Sequence, residues 1–75
     1  MMKKWKKNLY VGVRAISDFE QGYISNLMEP FKLKIAERTE DWIIFEGKVS
    51  LPKATRILSF LREKDFEFYM KGERA

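Results

Sequence analysis

Two serines, Ser17 and Ser50, each head a segment with helical apolar spacing, and the stretches before, between and after those segments alternate apolar with polar residues. This exchange of period-3.6 and period-2 patterns constrains the chain most, because a helix and a strand bury different sets of positions. Ser17-Asp18-Phe19-Glu20 has the form of a capping box, with the Ser17 hydroxyl accepting from the Glu20 amide and the Glu20 carboxylate reaching back. Phe19, Tyr23 and Leu27, joined by Ile24 and Met28, supply the apolar stripe of the first helix. Pro30 prevents continuation, so this helix ends at about Met28. Gly22 inside it costs about 1 kcal/mol relative to alanine and is expected to mark a close approach to a sheet. Ser50 caps a second helix whose first turn tolerates Pro52, whose apolar face is Ala54, Ile57, Leu58 and Leu61, and whose end falls near Lys64.

Four strands surround these helices. Residues 8–15 place Leu9, Val11 and Val13 on one face and Tyr10, Gly12 and Arg14 on the other. Phe31, Leu33 and Ile35 alternate with Lys32 and Lys34, after which the polar residues 37–41 turn the chain. Residues 41–49 put Ile43, Phe45 and Val49 opposite Trp42, Ile44, Glu46 and Lys48, and Phe66, Phe68 and Met70 alternate with Glu67, Tyr69 and Lys71. The order strand, helix, strand, strand, helix, strand predicts an α+β, ferredoxin-like βαββαβ domain with a four-stranded antiparallel sheet and both helices on one face. Right-handed crossovers give the strand order 4-1-3-2. Val11, Val13, Leu33, Ile35, Ile43, Phe45, Phe66 and Phe68 are then expected beneath the helices.

At 75 residues there is room for one such domain and little for a deep cleft. The chain has neither cysteine nor histidine, which removes disulfides, thiolate and imidazole metal sites, cysteine nucleophiles and histidine bases. Glu37, Glu40 and Asp41 cluster, but a polar turn accounts for them. A non-catalytic protein without cofactor or metal is expected. No apolar run approaches the roughly 20 residues of a membrane span, and residues 1–7 lack the apolar stretch of a signal peptide, so a cytoplasmic protein is expected.

The formal charge of +4 has a local origin. Lys3, Lys4, Lys6 and Lys7 flank Trp5 in a basic N-terminal arm, residues 1–7; without them, 11 of the 15 basic residues remain to balance 11 acidic ones. The body, residues 8–75, is neutral. Lysines in such an arm gain counterion-release energy on phosphates, and Trp5 can stack.

The face that the helices leave bare carries the candidate site. Tyr10 and Trp42 are expected as near neighbours on the two central strands, with Tyr69 beside them and Ile44 on the same surface. Arg14, Lys32, Lys34, Lys48 and Lys71 outnumber Glu46 and Glu67 there, a local surplus of three positive charges. Aromatic rings among cations suit single-stranded RNA or DNA, since bases stack on rings and phosphates seek positive charge. The same rings suit a homodimer interface, because tryptophan and tyrosine are enriched in both settings.

Leu9-Tyr10-Val11-Gly12 resembles the first-strand motif of RNA-recognition-motif domains, in which the second residue stacks a base. Aligned with that family's third-strand motif, residues 38–45 match at Arg38, Trp42, Ile43 and Phe45 and depart at Thr39, Glu40 and Asp41. Glu40 stands where the family has one stacking ring. The resemblance implies the ferredoxin-like fold and RNA or single-stranded DNA as partner, with Tyr10 as a stacking residue.

Overall fold

Leu9, Val11 and Val13 form the buried side of β1 (Lys7–Arg14), an interior strand that pairs antiparallel with two neighbours. The computed structural model describes residues 7–73. After β1 come α1 (Asp18–Met28), a 3-10 turn (Glu29–Phe31), β2 (Lys34–Arg38), β3 (Trp42–Val49), α2 (Leu51–Glu63) and β4 (Phe68–Glu73). The fold is α+β: the strands make one antiparallel sheet in the order β2-β3-β1-β4, which is 4-1-3-2 counted from the other edge. One core joins Val11, Val13, Ile43 and Phe45 of the sheet to Ile24 and Met28 of α1 and Ile57 and Leu61 of α2. Among the described residues no helix is long and apolar enough to cross a membrane.

Both helices begin at the expected caps. The Ser17 hydroxyl accepts from the Glu20 amide at 3.1 Å, and a Glu20 carboxylate oxygen accepts from the Ile16 amide at 3.1 Å. Ser50 accepts from the Lys53 amide at 3.4 Å with Pro52 in the first turn.

The first helix is turned from its expected orientation. Its buried residues are Gln21, Ile24 and Met28, while Phe19 is 85% exposed and Tyr23 53% exposed. At 100° per residue Phe19 and Met28 lie about half a turn apart, so the apolar arc is wider than one packing face can cover. Gln21 decides which end is buried. Its Nε2 donates to the carbonyls of Ala15 at 3.1 Å and Thr39 at 2.8 Å, with that of Trp42 at 3.3 Å, and its Oε1 accepts from Arg38 Nε at 2.9 Å. Gly22, expected against the sheet, faces open space, with nothing within 4 Å of a Cβ placed on it.

Strands β2 and β4 both begin later than expected. Pro30 sits in the 3-10 turn, which Lys32 closes in a left-handed conformation (φ 61°), so Phe31 and Lys32 lie outside the sheet. Glu37 and Arg38, expected in the hairpin loop, belong to β2, because a strand at the edge of a sheet can carry polar residues on its exposed sides. Ile35 is 44% exposed there instead of buried. At the other end α2 closes as a Schellman motif: Asp65 (φ 62°) donates to the Arg62 carbonyl at 3.0 Å and Phe66 to that of Leu61 at 3.2 Å. That use of its amide keeps Phe66 out of β4.

The rotation of α1 has a direct consequence for stability. Phe19→Ala is expected to shift unfolding free energy by no more than about 0.5 kcal/mol, whereas Ile24→Ala should cost about 2 to 5 kcal/mol. Denaturant titration of both variants separates the two faces, and equal losses would place Phe19 against the core.

Candidate nucleic-acid interface on the open sheet face

Pairing register determines which side chains share the uncovered face. Arg14 lies opposite Trp42, Gly12 opposite Ile44 on one side and Tyr69 on the other, and Tyr10 opposite Glu46 and Lys71. Tyr10 and Trp42 are therefore four positions apart along the sheet, about 13 Å at a strand's rise, and are not the neighbours expected. The ring pair is Trp42 with Tyr69, whose centroids are 5.5 Å apart at an interplanar angle of 55°.

These rings come from strands that do not touch, since β1 runs between β3 and β4. Gly12 makes the contact possible. A Cβ there would overlap the Tyr69 ring, so the ring occupies the space above β1 that a side chain would fill and meets Trp42 from that position. Trp42 is half-buried and Tyr69 is 42% exposed, which leaves ring surface open to a ligand.

The hairpin between β2 and β3 supports Trp42 from below. Thr39 Oγ1 accepts from the amides of Asp41 at 3.3 Å and Trp42 at 3.0 Å, and the Thr39 amide donates to the Trp42 carbonyl at 2.8 Å. Thr39, Glu40 and Asp41, the departures from the family pattern, form this turn, so Glu40 is not on the sheet. The matching residues Trp42, Ile43 and Phe45 are on β3 and Arg38 is on β2.

Charge on the face is lower than expected. Lys32 is displaced to the 3-10 turn, while a β-bulge between Ile35 and Glu37 brings Glu37 opposite Ile44. Among the described side chains the face then holds Arg14, Lys34, Lys48 and Lys71 against Glu37, Glu46 and Glu67, a surplus of one positive charge rather than three. Arg14 pairs with Glu67 at 3.5 Å and Lys34 with Glu46 at 4.0 Å. Exposed pairs of this kind are worth about 0 to 1 kcal/mol, so phosphate can compete for either cation. Lys7 opens β1; Lys3, Lys4, Trp5 and Lys6 lie outside the described residues. Among the described residues no group of three carboxylates could hold a metal ion.

Of the residues expected at the site, Tyr10, Arg14, Lys34, Trp42, Ile44, Tyr69 and Lys71 share the face, and Lys32 does not. Sequence reasoning missed Glu37, because only the bulge reveals its side, and Gly12's part in the ring pair, because the pair spans three strands. No protein-family model, curated protein or solved structure matches the chain.

If Gly12 sets the ring pair, Gly12→Ala should push Tyr69 away from Trp42 while the fold persists, since the overlapping atoms are the far end of one side chain. Proton NMR reads this as loss of the ring-current shifts that Trp42 imposes on Tyr69. Unchanged Tyr69 resonances would show that β1 does not control its position.

Proposed function

We propose that this chain is a small, non-catalytic binding module of ferredoxin-like βαββαβ organisation that takes single-stranded RNA or DNA on its open sheet face. A cytoplasmic location belongs to the same proposal. The observation that carries it is the Trp42–Tyr69 pair, 5.5 Å between centroids, on a surface that neither helix covers. The tilted rings touch each other and present outward planes on which a base can stack, and stacking tolerates any base. Arg14, opposite Trp42, and Lys71, two residues from Tyr69, are the phosphate contacts nearest the rings, with Lys34 and Lys48 farther along the sheet. The resemblance of Leu9-Tyr10-Val11-Gly12 to the RNA-recognition motif points the same way, with Tyr10 as a further stacking residue along β1. The basic arm supplies longer-range attraction, and Lys7 lies where that arm joins the sheet.

Binding of seven-nucleotide strands, followed by fluorescence anisotropy at low salt, tests this reading. Trp42→Ala should weaken binding by about 1 to 3 kcal/mol, roughly 5- to 150-fold in Kd, with the fold intact. No binding by the unaltered protein at tens of micromolar would overturn it.

A second reading, association of two copies, is favoured by a different surface from the one expected. Ile16 (64% exposed), Phe19, Tyr23 and Ile35 place apolar area along the outer side of α1 and the β2 edge, away from the ring pair. Two copies joined there would keep both sheet faces free. Sedimentation equilibrium across a hundredfold dilution should show a dimer that Phe19→Lys dissociates and Trp42→Ala does not. A monomer at high micromolar concentration removes this reading and leaves the first untouched.

A further inference from the structure

We infer that the open face selects guanine, with Glu37 as the specificity-determining residue; the inference rests on the nucleic-acid reading above. A shallow concavity crosses all four strands and is lined by Tyr10, Ala36, Glu37, Ile44, Tyr69 and Lys71. Glu37 stands at its β2 end, Lys71 at its β4 end, and rings and an isoleucine lie between. Three inter-strand spacings separate those ends, about 14 Å between backbones. With side chains lining both ends, the remaining span is on the scale of one nucleotide, base towards Glu37 and phosphate towards Lys71.

Glu37 is unusual among the carboxylates of this face. Glu46 and Glu67 each have a cation partner, whereas no hydrogen bond or ion pair involves the Glu37 side chain among the described residues. A negative group on a surface that receives phosphates weakens binding unless the ligand brings donors to it. The bulge makes its placement specific: Ala36 is the extra residue, and without it Glu37 would fall on the opposite side of β2.

A carboxylate accepts only, through two oxygens side by side. Guanine alone among the four bases presents two adjacent donors, N1–H and the N2 amino group, that can meet both oxygens at once. Adenine and cytosine offer one amino group beside an acceptor nitrogen, which a carboxylate repels, and uracil offers a single N3–H between two carbonyl oxygens. Charge-assisted bidentate contacts of this kind are strong and geometrically selective. The concavity therefore holds a guanine base over Tyr10 and Ile44 beside Tyr69, its Watson–Crick edge on Glu37.

The experiment measures anisotropy for four labelled heptanucleotides, oligouridine with guanine, adenine, cytosine or uracil at the centre, at one fixed salt concentration. The central-guanine strand should bind about tenfold more tightly than the others. Glu37→Gln, a change at an exposed position, should abolish that preference while leaving oligouridine binding equal or slightly stronger, since a negative charge is removed. Equal binding of all four strands by the unaltered protein, or a guanine preference that survives Glu37→Gln, overturns the inference and leaves the nucleic-acid reading standing. Failure of every strand to bind overturns both.

Discussion

The buried amide of Gln21 ties α1 to the strand ends that meet beneath it. It is 3% exposed, and it joins the end of β1 at Ala15, the hairpin at Thr39 and Trp42, and the edge strand at Arg38. The Trp42 carbonyl already accepts from the Thr39 amide, so the Gln21 amino group matters most to the carbonyls of Ala15 and Thr39, and leaving such a group unmet costs about 1 to 3 kcal/mol. The amide orientation follows from its surroundings: a carbonyl oxygen must receive the Arg38 Nε–H, and the amino group must face the acceptors. Satisfying this network sets the rotation of α1. That rotation sends Phe19 and Tyr23 outwards and fixes the hairpin whose turn supports Trp42.

The sheet's outer face follows from the same economy of side chains. Leu9, Val11 and Val13 commit one side of β1 to the core, so Tyr10, Gly12 and Arg14 are bound to the other. Gly12 leaves a gap in the middle of the sheet that Tyr69 fills from β4. On the core side Gly47 does the same for Leu33, whose Cδ2 would lie 2.7 Å from a Cβ at that position. In both places a glycine in a central strand accepts a ring or branched side chain from a neighbouring element, which offsets the packing lost in the strand itself.

Much of the fold could be read from pattern because the relevant signals are local. Ser17 with Glu20, Ser50 with Pro52, and the clean alternation at Leu9-Val11-Val13 each require only a few neighbouring residues, and each element formed where expected. The departures come from interactions that act over distance. Phe19 and Tyr23 share helical spacing with Ile24 and Met28, and nothing in that spacing says that a polar residue, Gln21, will take the buried position; the signal present was Gln21-Ile24-Met28 at i, i+3 and i+7. Phe31 and Lys32 alternate like a strand, but Pro30 and the left-handed Lys32 spend those residues on a turn. Phe66 alternates with Phe68 until the end of α2 claims its amide. At the site, parity placed Trp42, Tyr69 and Arg14 on one surface correctly, while register, which decides who touches whom, depends on the pairing of strands far apart in sequence.

Two features of the open face break a rule of regular sheets. Gly12 removes a side chain from a central strand, and Ala36 inserts a residue into an edge strand. Either change weakens the sheet in isolation, through backbone entropy in the first case and a disrupted ladder in the second. Their effects converge on one surface: the glycine brings Tyr69 to Trp42, and the bulge turns Glu37 to the same side. A sheet optimised only for stability has no use for an aromatic pair left open to water or for a carboxylate without a cation. Both local losses act on one chemically mixed concavity, the glycine by admitting the Tyr69 ring and the bulge by turning Glu37 towards it.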